Sequence, residues 1–188
     1  TRHCRHWSGR PAPPAWAYGP TMRLLRPGSS AVRGKAVAAV AGGMLALAIG
    51  LTLFSAWRAD LATRPQTVCT LKFDVATLDN VPQVTTIPQM ARGLSGLADV
   101  GPGLLFTWAD DAPRVFWMKD TPTPLSVAFI DSQGVVLQIE DMEPFSEFMH
   151  WSRMPAREGL EVKQGDFQRL GIAPGSRLIS RQCKNITN

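Results

Sequence analysis

Histidine is scarce in this sequence. His3 and His6 stand in an N-terminal stretch crowded with Arg and Pro, and His150 is the only one of the three beyond it. A His-rich metal site in the later part of the chain is therefore excluded by count. His3, Cys4 and His6 have the composition of ligands, but their segment has no apolar period to fold on, so no metal is expected. Cysteine is as rare: Cys4, Cys69 and Cys183, with no C-x-x-C pair, which argues against thioredoxin-type chemistry. Also missing are a G-x-S-x-G nucleophile turn, a Walker loop, a dinucleotide glycine pattern and any internal repeat. A Ser-His-Asp set could be drawn only through His150. The adjacent acids Asp110-Asp111 and Glu140-Asp141 have the pattern of turns rather than of acid/base pairs. No cofactor is expected, and catalysis, as a hydrolase of unknown substrate, is a minor reading.

Acidic residues are absent before Asp60, whereas Arg2, Arg5, Arg10, Arg23, Arg26, Arg33 and Lys35 precede it. The basic excess thus belongs to the N-terminal segment, and the rest is slightly acidic. Nucleic-acid binding needs a basic stripe on the folded part, and none is visible. Charge of either sign is missing from Ala36 to Trp57, AVAAVAGGMLALAIGLTLFSAW, a run of 22 residues. About 20 apolar residues at roughly 1.5 Å rise span a bilayer core. Four cations precede the run, which predicts a single-pass inner-membrane helix with the C-terminal domain in the periplasm. An uncleaved signal-anchor is favoured over a cleaved signal, because cuts after Ala56 or Ala59 would put Phe54 or Trp57 at a site that wants a small residue. The expected organisation is a disordered basic segment over 1–35, a transmembrane helix over 36–57, a linker over 58–67 and one domain over 68–184. Met22, followed by basic residues, is the expected native start.

Within the domain, CTLKFDVA (69–76) alternates as a strand with Leu71, Phe73 and Val75 on one face. VPQVTTI reads as a weak strand that Pro82 would confine to a sheet edge. PQMARGLSGLAD suggests a short helix with Met90, Leu94 and Leu97 on one face. GLLFTW, VFWMK, PLSVAFID, VVLQIEDM, EGLEVKQG and the tail up to Cys183 read as further strands. DDAPR, TPTP and DSQG are turns, and GDFQRLG makes a second short helix stopped by Gly171. The fold class expected is α+β: a compact, barrel-like domain of about seven short strands with two short helices. Cys69 and Cys183 stand at its two ends. They form either a bridge, worth roughly 4 kcal/mol in an oxidising compartment, or two buried thiols.

RGLSGL, GPGLLF, FWMKDTPTPLSVAFID, GLEV and GI-P-G occur in this order between 69 and 183, and the series resembles the domain of unknown function 192 family. The family pattern runs R-x-x-G-L-M, G-M-L-F, F-W-M-K-N-T-x-x-P-L-D, F-I-D-x-x-G, Leu-Glu and G-I-x-x-G. The resemblance implies a small β-rich domain, often exported in bacteria, with no settled biochemical function. It carries over to Gly93, Leu94, Phe116 to Lys119, Thr121, Asp131 and Glu161, and brings in Arg92, one place from the pattern's arginine. Asp120 stands where the family has Asn, Ser126 where it has Asp, and Leu104 where it has Met.

FWMKD raises the functional question. As a strand it places Val115, Trp117 and Lys119 on one face and Phe116, Met118 and Asp120 on the other. One reading is a two-sided core with its charges at the rim. The other is an indole platform beside a lysine and carboxylates, a mouth suited to a sugar or another small polar ligand. The candidate ligand residues are Trp117, Lys119, Asp120, Thr121, Asp131, Arg92 and Glu161. EPFSEFMHWSRMPA (143–156) carries Phe145, Phe148, Met149, Trp151 and Met154, either as a lid packed on the barrel or as a surface for an envelope protein. The function expected is thus a membrane-anchored periplasmic domain that binds a small polar ligand or glycan, or alternatively a cell-envelope interaction module.

Overall fold

The computed structural model describes residues 31–186, with side chains from Met44 onward apart from Ala46. The basic segment holding His3, Cys4, His6 and Met22 lies outside the described residues. The apolar run is helical: α1 spans Ala31–Thr63. Its first third lies where side chains are not described. Among the described residues no helix is long and apolar enough to cross a membrane. The helix continues beyond Trp57, so residues 58–63 of the expected linker are its last turns. The chain divides into two units, residues 1–51 and residues 52–188.

The second unit is built on a sheet of seven strands. In chain order the elements are β1 (Thr67–Phe73), β2 (Thr77–Val84), α2 (Ile87–Arg92), β3 (Leu104–Ala112), β4 (Val115–Phe116), β5 (Leu125–Ile130), β6 (Val136–Met142), β7 (His150–Trp151), β8 (Ala156–Lys163), α3 (Asp166–Leu170) and β9 (Leu178–Asn185). The main sheet runs β6-β5-β8-β3-β2-β1-β9, and β4 with β7 forms a separate two-stranded ribbon. All pairs in the main sheet are antiparallel except β2 with β3. The two edges approach each other at one end. Val135 bridges Arg177, and Leu178 N–H donates to Gly134 O at 2.8 Å. The sheet is therefore a half-closed barrel, which agrees with the expected α+β class.

Alternation along the strands divides the core between two faces. Leu71, Leu105, Ala128, Ile130, Leu160 and Val162 pack on one face with Phe167 of α3. Leu104, Phe106, Val127, Phe129, Phe116 and Met118 pack on the other. All six residues of β5 are buried, because that strand pairs on both edges and is covered on both faces. Cys69 and Cys183 are register partners in β1 and β9 and form a disulfide.

Several local expectations are corrected. Pro82 is on an interior strand. It is tolerated because the ladder from β2 to β3 contains only Gln83 and Val84, so no donor is needed at 82. Val75 lies beyond β1 and is exposed. Helix α2 stops at Gly93, whose φ of +50° breaks the helical path, and this leaves Leu97 outside the helix. Asp110 and Asp111 belong to β3 and not to a turn. Their partners Arg114 and Arg157 satisfy them there. VFWMK supplies only the two residues of β4 before turning.

Candidate functional site

Four segments converge on one cavity of about 260 Å³. Helix α2 and the loop after it contribute Arg92, Gly93 and Ser95, and β3 contributes Phe106 and Trp108. The ribbon and its turn contribute Phe116, Trp117, Lys119, Asp120 and Thr121, and β8 contributes Glu161.

Glycine sets two of these approaches. A Cβ at Gly159 would lie 2.5 Å from the Phe116 ring, so only glycine lets that ring rest on β8. Phe116 then meets Phe106 edge-on at 4.9 Å and Phe129 at 5.6 Å. A Cβ at Gly103 would run into the carbonyl oxygen of Glu161. Both glycines therefore keep neighbouring chain close around Glu161.

The FWMKD stretch alternates between packing and exposure. Phe116 and Met118 are buried, while Trp117 is 48% exposed. The side of the stretch that carries Trp117 and Lys119 is open, so the two-sided core reading is replaced by a one-sided one. Asp120 has a φ of +55°, a conformation that Asn and Asp tolerate best among residues with a Cβ. The family's Asn at this place thus has a backbone reason, and Asp120 meets it. Asp120 O accepts from Gly96 N–H at 2.8 Å, tying the turn to the α2 loop. Thr121 N–H donates to Met118 O at 3.0 Å and its hydroxyl donates to Lys119 O at 3.2 Å. Its role is to shape the turn.

Charge is unevenly matched across the cavity. Arg92 donates to Asp60 at 2.9 Å and to Thr63 Oγ1 at 3.0 Å. The hydrogen bonds from Arg92 and then Arg64 hold the Asp60 carboxyl below its ordinary range. Lys119 lies 3.8 Å from Glu147 and 5.5 Å from the Trp117 ring centroid. Glu161 is 4% exposed, lies between Leu104 and Val127 in the sheet and has no hydrogen-bond partner among the described residues. Burial pushes its carboxyl up to about 8. Its neighbour Glu158, on the opposite face of β8, is buried too but is paired with Arg181.

Six of the seven candidate ligand residues therefore line one cavity: Arg92, Trp117, Lys119, Asp120, Thr121 and Glu161. Asp131 does not. Its carboxylate accepts from Gln133 N–H and Val135 N–H, each at 2.8 Å, and closes the turn between β5 and β6. Phe106, Trp108 and Phe116 also wall the cavity, and sequence reasoning does not find them because they look like any core aromatic. Ser126, which replaces the family's Asp, donates to Asp141 across the ladder. A carboxylate thus remains at that place from the facing strand.

The 143–156 segment is not a packed lid. Phe145, Phe148, Met149, Trp151 and Met154 are all about half exposed or more. What the segment supplies inward is backbone and small or polar side chains: Ser146 O accepts from Met118 N–H, Phe145 N–H donates to Thr121 O, and Ser152 and Ala156 are buried. His150 is buried in β7 with Nδ1 3.1 Å from Glu140. No histidine lines the cavity among the described residues, and no metal-binding cluster occurs among them.

Two solved structures share the fold. A protein of unknown function from Novosphingobium aromaticivorans aligns with a TM-score of 0.54 at 24% identity, over 61% of this chain and 83% of its own. A protein from Sinorhizobium meliloti, described as a candidate transcription regulator, aligns with a TM-score of 0.54 at 29% identity, over 65% of this chain and 95% of its own. Among curated proteins none matches. The family model described as DUF192, Uncharacterized ACR, matches residues 72–180. That span contains every residue that lines the cavity, and the chain belongs to the domain of unknown function 192 family.

Proposed function

We propose that the domain binds a small polar ligand in the cavity floored by Glu161 and flanked by Trp117, Lys119 and Asp120. The observation that carries this reading is the buried carboxyl of Glu161, which faces the cavity without a protein partner. Among the described residues no fully enclosed side-chain oxygen or nitrogen is left unpaired, so the Glu161 oxygens reach the cavity space, and carboxyls with raised ionisation points concentrate at functional sites. The volume is near the lower end for ligand pockets, about 300 Å³, so it suits a single sugar ring or a metabolite of that size rather than a long glycan.

In this reading a signal-anchor over 36–57 holds the domain outside the inner membrane. The uncharged run and the four cations before it support the orientation, and so does the Cys69–Cys183 bridge, a bond that persists in oxidising compartments. Protease added to spheroplasts is expected to digest the domain, and survival of the domain would reverse the orientation.

Thermal-shift screening of the full chain in non-ionic detergent, against sugars, cell-wall fragments and common metabolites, tests the binding reading. A ligand at 100 times its Kd adds about 2.7 kcal/mol, a change of several degrees in Tm for a domain of this size. The stabilisation should vanish in a Trp117→Ala, Lys119→Ala variant, which folds because both side chains are substantially exposed. Stabilisation that persists in the variant would exclude this cavity.

One observation favours a second reading. The exposed apolar side chains of 145–154 form a surface of the kind that docks another envelope protein. A screen in which no compound raises Tm, together with an envelope protein cross-linked through Trp151, would favour that alternative.

A further inference from the structure

The cavity's own charges say what kind of ligand it suits. Arg92 is engaged by Asp60 and Thr63, and Lys119 by Glu147 and the face of Trp117. Asp120 and Glu161 have no cationic partner among the described residues. Each cation of the cavity thus has a carboxylate beside it, whereas the cavity's two carboxyl groups have no cation of their own. An added cation suits that balance.

The walls lead to the same conclusion. Aromatic faces attract cations through the ring quadrupole, by about 0.5–2 kcal/mol each. This protein already uses two indoles in that way: Arg114 lies 4.5 Å from the Trp108 ring centroid and Lys119 lies 5.5 Å from that of Trp117. Phe106 and Phe116 also border the cavity and carry no cation among the described residues.

We propose that the ligand carries an organic ammonium group that pairs with Glu161 against the aromatic wall of Phe106 and Phe116. The inference rests on the ligand-binding reading and narrows it to one ligand class. The charged groups that share the cavity with Glu161 are Arg92 from α2 and Lys119 and Asp120 from the turn after β4. The strands beside it present Leu104 and Val127. Cation binding requires ionised Glu161, so below the ionisation point of this group each bound cation releases a proton.

Isothermal titration of the full chain in non-ionic detergent uses two shape-matched pairs: choline with 3,3-dimethylbutan-1-ol, and cyclohexylammonium with cyclohexanol. At least one cation is expected to bind tenfold or more tightly than its neutral partner. Its affinity should rise about tenfold per pH unit below the ionisation point of Glu161 and then level off. Glu161→Gln should lose that affinity at least tenfold and abolish the preference for the cation over its neutral partner. The charge preference and the pH profile of the wild type stand even if the variant does not fold. Binding of neutral sugars or carboxylic acids with no preference for either cation overturns the ammonium assignment and leaves the small-ligand reading intact. Failure of every compound in both this titration and the wider screen overturns both.

Discussion

Glu161 is a carboxylic acid held where water scarcely reaches it, and this has a measurable consequence for stability. Its folded-state value of about 8 lies above the ordinary value of 4.5. Between these two points the folded chain keeps a proton that the unfolded chain releases. Folding stability therefore falls as pH rises from 4.5 to about 8 and levels off above that. The loss amounts to a few kcal/mol, since raising an ionisation point tenfold in proton affinity corresponds to about 1.4 kcal/mol. Urea denaturation from pH 5 to 9 should show this slope in the wild type. Glu161→Gln should flatten it and leave the variant the more stable of the two at pH 9. An unchanged slope would place the titrating group elsewhere. Asp120 makes a conformational prediction. Its φ of +55° suits Asn equally well, so Asp120→Asn should change stability by less than about 0.5 kcal/mol, while Asp120→Val should lose about 1–2 kcal/mol.

At the scale of elements, the ribbon of β4 and β7 joins core to cavity. It is held by Phe116 packed on Gly159, and by Arg114 N–H donating to the Ser152 hydroxyl at 2.9 Å. Gly159→Ala would push a ring that is packed against Phe106 and Phe129, and interior β8 cannot yield. A loss of about 1–3 kcal/mol is expected, read as a lower urea midpoint, together with weakened binding in the same cavity. Leu125 to Ile130 is apolar at every position but Ser126, and such a run is legible as a buried strand. The length of VFWMK is not legible in the same way, because the path after Phe116 is set by hydrogen bonds from Met118 N–H to Ser146 O and from Gly96 N–H to Asp120 O, neither of which is visible in local periodicity. Nor is the fate of the aromatic loop. Counting large apolar residues says that they need cover, but only the positions of their neighbours show that Phe145, Phe148 and Trp151 stay more than half exposed.

For the whole molecule, the disulfide is the main covalent constraint on the fold. It joins β1 to the edge strand β9 across 114 residues of sequence, which corresponds to about 4–5 kcal/mol in the chain-entropy account. Small domains have only about 5–15 kcal/mol in total. Reduction with dithiothreitol should therefore lower the melting temperature by well over 10 °C, and Cys69→Ala, Cys183→Ala should reproduce the effect without reductant. Indifference to both would mean that the ladder between β1 and β9 is sufficient alone.

Sequence suffices for whatever depends on neighbours along the chain: the uncharged run before the domain, strand alternation in β1, the apolar stretch of β5, the αL stop at Gly171 and the family pattern around FWMKD. The two cysteines could be identified but not paired, since pairing requires β1 and β9 to be adjacent. The tertiary structure alone decided that Arg92, Lys119, Asp120 and Glu161 share a cavity while Asp131 closes a remote turn. It also decided that Glu158 finds Arg181 whereas Glu161 finds no partner. Two glutamates three residues apart on β8 look alike in sequence. A strand turns successive side chains to opposite faces, and what waits on each face is supplied by segments distant in the chain.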